Sequence, residues 1–334
     1  MQIQIPALSS GGLIFAYQCS NRCRHCLYAS APEWRDWADE ATIDTMVEQL
    51  AGQRKFLTGI HIGGGEPLLR PKLIAYAIRK LNEYYIPVDY VETNAFWCYN
   101  DSKTEAVFNM LKDAGLHAIL ISVSPFHLEY VPKEKTDRAI RIASKIFGPD
   151  QVAIYTQYFY RQFEELDEKQ TVPLEDYIQA IGEENAPMIL ASECNLIPNG
   201  RAAVSLESLF AKRPASTFWG ETCKREITDP HHIHIDLYGH YTAGLCAGLS
   251  LGNAFDLSSL YQSVDLDERP LLKILYEEGI EALFKWAVEQ HGYRERPEGY
   301  IAKCHLCLDI RRFLVRKGQL YPELAPLEFY QHLD

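Results

Sequence analysis

Three cysteines stand close together near the start of the chain, in the run Tyr17-Gln18-Cys19-Ser20-Asn21-Arg22-Cys23-Arg24-His25-Cys26. Three thiolates in a C-x3-C-x2-C array suit three corners of a [4Fe–4S] cube and leave the fourth iron open to a substrate or cofactor. Zinc is the rival, since thiolates suit it too, but structural zinc sites usually pair two C-x2-C knuckles and close with a fourth ligand. His25 sits between two of the cysteines, where the loop is poorly able to turn all four donors onto one ion. About forty residues on, Gly63-Gly64-Gly65-Glu66-Pro67 ends the apolar run Leu57–Ile62. Residues without side chains at a strand's end let backbone groups approach a ligand closely, and the carboxylate of Glu66 suits an ammonium group.

A second set of thiols lies far downstream, at Cys223, Cys246, Cys304 and Cys307. Cys223 precedes the alternating strand His232–Leu237, the turn Tyr238-Gly239-His240, a short return strand and Cys246, so a hairpin framed by two cysteines draws both toward one point. Cys304-His305-Leu306-Cys307 opens a helical pattern whose N-terminus favours the negative charge of thiolates. Four thiolates bind a cluster or zinc, and spacing does not choose between them. Cys98 and Cys194 are left over. Buried packing is the ordinary fate of a free cysteine, but Cys98 lies on the loop after the third strand, where a thiol facing the substrate could donate a hydrogen atom to a radical.

The elements that must position these groups alternate through the first two-thirds of the chain. Apolar runs at Leu13–Tyr17, Gly59–Ile62, Val88–Glu92, Ala118–Val123, Val152–Gln157 and Met188–Leu196 read as strands. Helical patterns at Thr42–Arg54, Lys72–Tyr84, Lys103–Ala114, Lys135–Phe147 and Leu174–Ile181 separate them. Strands joined by crossover helices imply a parallel sheet, and in barrels of this kind chemistry gathers at the C-terminal strand ends. At those ends stand Thr93-Asn94 and, on one side of an alternating fourth strand, Ser122 and Ser124. His127 and Glu129 follow on the next loop. Beyond Arg201 the alternation stops, with one long helical stretch expected at Leu271–His291.

Composition narrows the class. At 334 residues and 47% hydrophobic, the chain has room for a barrel-sized domain and an appendage. No apolar stretch reaches the roughly 18 residues that span a bilayer, and the N-terminus lacks a basic-then-apolar signal pattern. A cytoplasmic protein without a membrane partner is therefore expected, its nine cysteines reduced and available to metal. A formal net charge of −12 disfavours nucleic acid and is compatible with a small molecule or a basic peptide.

With the cysteine loop and the glycine run together, the chain resembles the radical SAM superfamily from about Gly11 to Arg201. The resemblance implies that Cys19, Cys23 and Cys26 hold a [4Fe–4S] cluster whose open iron is chelated by S-adenosylmethionine. One electron then yields methionine and a 5′-deoxyadenosyl radical that abstracts hydrogen from substrate. It also implies cofactor contacts at His25 (in place of the usual aromatic residue), at Gly63, Gly64, Gly65, Glu66 and Pro67, at Thr93-Asn94 (followed by Ala95 where glycine is usual), and at Ser122 and Ser124. Pro198-Asn199-Gly200-Arg201-Ala202 is similar to a turn found in family members with auxiliary clusters. Cys223, Cys246, the Leu251-Gly252-Asn253 run and Cys304-x2-Cys307 resemble the SPASM and twitch extensions. Four cysteines rather than seven point to one auxiliary [4Fe–4S] cluster, with zinc the alternative.

The expected fold is thus α/β, a partial (β/α)6 barrel over 1–202 followed by a small α+β auxiliary-cluster domain over 203–334. The expected function is radical SAM modification of a peptide by cross-linking, oxidation or epimerisation, with an electron donor such as flavodoxin or ferredoxin. A dehydrogenase or epimerase acting on a small molecule or sugar is the alternative, and a zinc-stabilised, non-catalytic binding protein is the reading from a different class.

Overall fold

The computed structural model describes residues 1–167 and 169–334. The chain divides into two compact units, one of residues 12–23 and 30–196, the other of residues 1–11, 24–29 and 197–334.

The first unit is a mixed α/β structure built on a mostly parallel sheet, as in a partial barrel. Its strands β1 (Ser10–Ile14, from Gly12 on in this unit), β2 (Gly59–Gly63), β3 (Val88–Thr93), β4 (Ile119–Ser122) and β5 (Val152–Tyr155) lie side by side in chain order. From β2 to β5 each neighbouring pair is parallel. Parallel neighbours need crossovers, and helices α1 (Glu40–Ala51), α2 (Pro71–Glu83), α3 (Asp101–Asp113) and α4 (Lys133–Phe147) supply them. Their starts are written locally. Asp39 accepts from the Thr42 amide at 2.8 Å and Asn100 from the Lys103 amide at 2.9 Å, while Pro71 begins α2, where its missing N–H costs nothing.

Strand alternation assigns the two faces of the sheet. Ile60, Ile62, Val91, Ile119 and Ile121 are fully buried, as are Ile43, Val47, Ile78, Leu81, Phe108, Leu111 and Ile142 on the helices. The opposite face carries His61, Glu92 and Leu120, with the exposed Ala153 and Tyr155 at its edge. Helices thus cover one face with a hydrophobic layer, and polar residues mark the other.

Three expectations of the sequence are corrected here. Met188–Leu196 forms no strand: the chain is helical from Leu174–Ile181 (α5) and again at Ala186–Glu193 (α6), with Pro187 in its first turn. A short unbroken apolar run has no period that separates a strand from a helix. The strand expected to run to Gln157 stops at Tyr155 and becomes helical at Gln157–Gln162. The fourth strand ends at Ser122, so Ser124 does not continue its alternation but precedes the helical turn Pro125–Leu128.

In the second unit a meander of β6 (Ile233–Asp236), β7 (His240–Thr242) and β8 (Gly252–Asn253) is antiparallel throughout. Asp236 fixes the first turn by accepting from the amides of Tyr238 at 3.0 Å and His240 at 2.9 Å. The stretch expected as one helix over 271–291 is two, α7 (Pro270–Glu277) and α8 (Ile280–His291). Gly279 breaks it with φ 90°, and a Cβ there would lie 2.3 Å from the Glu221 carbonyl. Helix α9 (Lys303–Arg316) carries Cys304 and Cys307 in its first turns.

Candidate active site

The glycine run ends β2 and folds back against the chain that leads into the cysteine loop. The Gly65 amide donates to the Ala16 carbonyl at 2.8 Å, and the Glu66 amide to Gln18 at 2.9 Å. A Cβ on Gly64, whose φ is 123°, would stand 2.5 Å from Ala16 O, and one on Gly65 would stand 2.0 Å from Gln18 O. Two of the three glycines therefore serve a close approach of the protein to itself. Pro67 is buried at the start of the turn Pro67–Leu69.

Glu66 differs from the sequence reading. Its carboxylate is completely buried and already engaged, accepting from Thr93 Oγ1 at 2.8 Å, the Asn94 amide at 2.7 Å and the Leu68 amide at 3.0 Å. Burial pushes its pKa up to about 7, against the pull of these donors. The side chain expected to meet an ammonium group instead pins the turn after β3. Thr93 in turn accepts from Trp97 Nε1 at 2.9 Å and from the Ala95 amide at 3.1 Å. Ala95, at the usual glycine position, has the glycine-like φ of 61°.

Asn94 carries this network to the first cysteine. Its Nδ2 donates to Ser20 Oγ at 3.0 Å and approaches Cys19 Sγ at 3.6 Å, while the Asn21 amide lies 3.4 Å from the same sulfur. Donors aimed at sulfur favour the thiolate, the form a metal needs, so the surroundings of Cys19 fit a cluster ligand. Cys23 is buried and Cys26 half-buried. Tyr130 Oη donates to the Arg22 carbonyl at 2.9 Å, and Tyr17 stacks on Trp34 with centroids 3.8 Å apart. No spacing in the sequence signals either support.

The remaining expected positions fall out differently. Ser122 is half-buried at the end of β4. Ser124 is buried, with its Oγ 2.7 Å from Nδ1 of His127, whose pKa burial lowers to about 4. Cys98 is corrected outright: it is fully buried, Thr104 hydrogen-bonds its thiol, and burial pushes its pKa up to about 12. Its burial and its bond to Thr104, on α3, fit the small-hydrophobe reading of cysteine. Cys194, buried after α6, is pushed up in the same way.

His61 and Glu92, to which sequence reasoning assigned no role, share the polar face of the sheet. Burial lifts the Glu92 carboxyl to about 7, and the Glu66 charge adds to the effect. A carboxyl so raised holds its proton more tightly in the folded chain than in the unfolded one. Its stabilising contribution is full below the ordinary 4.5 and is lost as pH rises through about 7. Glu92→Gln should therefore lose less stability than the parent in urea unfolding between about pH 5 and about pH 8; equal slopes would show that Glu92 titrates normally.

In the second unit, the segment Arg24–Ala29, with half-buried His25, lies against the Asn199-Gly200-Arg201 turn. The Arg201 amide donates to the Cys26 carbonyl at 2.9 Å, and its buried guanidinium donates to Ala29 O at 2.6 Å and to His332 O at 3.1 Å. Gly200 has φ 59°, and a Cβ there would lie 2.2 Å from the Leu27 carbonyl. Gly200→Ala should cost about 2–4 kcal/mol of stability in chemical denaturation and loosen the third cysteine; a loss under about 1 kcal/mol would mean that the turn yields easily.

The same turn reaches the second thiol set. Asn199 Nδ2 donates to Leu245 O at 2.8 Å, and Arg311, completely buried, donates to Asn199 Oδ1 at 3.3 Å and Ala247 O at 3.0 Å. Cys223, Cys246, Cys304 and Cys307 all carry free thiols, and each lies within electrostatic reach of at least one of the others. Beyond the dominant effect of burial, Cys307 and Cys246 raise Cys223, while Cys304 and Cys307 raise Cys246. Burial, and then Cys307, raise Cys304 to about 11, and the cations Lys303 and Arg311 oppose this. Four gathered thiols flanked by two cations fit a tetrathiolate centre, whose negative charge the cations offset. Among the described residues, no group of three or more His, Cys, Asp or Glu side chains closes on one point as a single metal ion would require.

A parallel sheet with helices in its crossovers, and a glycine run tied to a three-cysteine loop, define an α/β protein of the partial-barrel class. Residues 13–154 of the chain match the radical SAM superfamily. No curated protein matches it. Among solved structures it is similar to BtrN in complex with AdoMet and 2-DOIA, at 15% identity over 83% of this chain and 90% of that one, TM-score 0.45. It is also similar to native anSMEcpe with bound AdoMet and Cp18Cys peptide, at 12% identity over 93% and 98%, TM-score 0.45. A third likeness is to Streptococcus suis SuiB bound to S-adenosylmethionine, at 16% identity over 89% and 75%, TM-score 0.45. Likenesses this distant carry nothing about substrate. Among the described residues no helix is long and apolar enough to cross a membrane.

Proposed function

We propose that this chain binds S-adenosylmethionine at the glycine run and uses it to abstract hydrogen from a peptide. The observation that carries the reading is the continuous network from Glu66 through Thr93 and Asn94 to Cys19 Sγ, which ties the glycine run, the turn after β3 and the cysteine loop into one unit. Cys19, Cys23 and Cys26 would hold the [4Fe–4S] cluster, which when bound supplies the electron that cleaves S-adenosylmethionine to methionine and a 5′-deoxyadenosyl radical. The chain's own part is to set the loop, hold Cys19 as thiolate through Asn21 and Asn94, and present the backbone of Gly63–Gly65 and the Thr93-Asn94 and Ser122 strand ends to the cofactor. Cys223, Cys246, Cys304 and Cys307 would hold an auxiliary cluster, within the division into a barrel over 1–202 and an auxiliary domain over 203–334. Flavodoxin or ferredoxin would supply the electron. A net charge of −12 suits a basic peptide as substrate.

Anaerobic reconstitution with iron and sulfide, followed by iron counting and assay of 5′-deoxyadenosine with dithionite as reductant, tests this reading. About eight irons per chain and accumulation of 5′-deoxyadenosine are expected. Zinc in place of iron, with no cleavage, would overturn it.

A further inference from the structure

We propose that Glu92, backed by His61, receives a protonated amine of the substrate on the polar face of the sheet. The inference rests on the reading above and names the group that the substrate must carry.

Glu92 sits two residues before Asn94 on β3. A strand advances about 3.3 Å per residue, which puts Glu92 about 7 Å along the strand from the residue that touches Cys19 Sγ. That offset sets Glu92 back from the strand's end, beside the cofactor contacts proposed above at Thr93-Asn94. Gly63 leaves room for it, since a Cβ on that glycine would lie 2.9 Å from Glu92 Oε2. His61 Nε2 stands 3.7 Å from Glu92 Oε1, and the ring is braced by Tyr90, with centroids 5.2 Å apart and planes 13° from parallel.

The carboxylate is unusual in what it lacks. Among the described residues its oxygens accept no hydrogen bond, and the one charge that acts on it is another carboxylate, Glu66. The side chain is 38% accessible. In register beside it run Leu120 and then Ala153, and one step on along that face lie Ser122 and the exposed Tyr155. Among the described residues His61 is the basic side chain that approaches Glu92, at 3.7 Å and so beyond hydrogen-bond distance. A carboxylate only partly covered by protein, open to solvent and raised by the charge of a second carboxylate, gains most from a cationic donor. A lysine ammonium or a terminal amine of a peptide meets that need, and a neutral hydroxyl meets it only in part.

The test uses the full chain loaded with its clusters, with ethylammonium as the probe of the amine. Anaerobic crystals soaked with ethylammonium, with and without S-adenosylmethionine, should place its nitrogen within hydrogen-bond distance of a Glu92 carboxylate oxygen in both arms. Calorimetry should give an affinity on the order of millimolar that falls at least tenfold in Glu92→Gln, while ethylene glycol binds more weakly than ethylammonium to the parent. An empty site, an unchanged affinity in Glu92→Gln, or displacement of the probe by S-adenosylmethionine alone would overturn the inference, the last by handing the carboxylate to the cofactor's own ammonium. 5′-Deoxyadenosine is assayed in the same preparation. Cleavage without amine binding sinks this inference alone, whereas absence of cleavage sinks the function on which it rests.

Discussion

Replacing Cys19, Cys23 and Cys26 by alanine is expected to reduce 5′-deoxyadenosine formation to background. The three thiolates are the protein's hold on the cluster that donates the electron, and no other described side chain near the loop replaces three soft ligands. The loss should not come from unfolding. Cys19 and Cys23 are buried but small, so each change to alanine removes one sulfur and costs on the order of 1 kcal/mol. The loop is also held by bonds that the variant keeps, from Tyr130 to the Arg22 carbonyl and from Asn94 to Ser20. Circular dichroism should match the parent while the iron content falls by about four per chain. Cleavage that survives in the triple variant would overturn the central assignment.

That same variant isolates the second site. With the first three cysteines gone, Mössbauer spectroscopy should still report a [4Fe–4S] centre on Cys223, Cys246, Cys304 and Cys307, and adding Cys246→Ser and Cys307→Ser should remove it. The expectation rests on Cys223, Cys246 and Cys304, each raised by burial and by cysteine neighbours, on Cys307 beside them, and on the cations Lys303 and Arg311. Thiols pushed this far up stay protonated at neutral pH unless a metal displaces their protons, so loading should release protons and grow stronger as pH rises. Zinc alone at the site would make it structural and would leave a substrate radical without a cluster to accept its electron. Dispersed or disulfide-paired cysteines in the purified protein would remove the auxiliary domain from the account.

Much of the molecule follows from residues close together in the chain. The C-x3-C-x2-C loop, the glycine run, the caps at Asp39 and Asn100, the Asp236 turn and the C-x2-C at the start of α9 each act within a few residues. Their chemistry is therefore legible from type and spacing. The alternation of strands and helices through β5 is equally local, because burial on one face imposes a period of two or of 3.6. Where a run has no period, as at Ala186–Glu193, the sequence leaves strand and helix open and packing decides for a helix.

Tertiary structure decided the partners. Glu66 meets Thr93 across 27 residues and Arg201 meets Ala29 across 172, separations over which neither spacing nor composition specifies a contact. Burial settled Cys98, because a loop cysteine can face solvent or core with the same neighbours in sequence. The pairing of His61 with Glu92 depends on which faces of β2 and β3 turn the same way, and a register shift between Ile60 and Ile62 intervenes there. A one-residue slip moves a side chain to the opposite face, so only the folded sheet fixes that this carboxylate and this imidazole stand together.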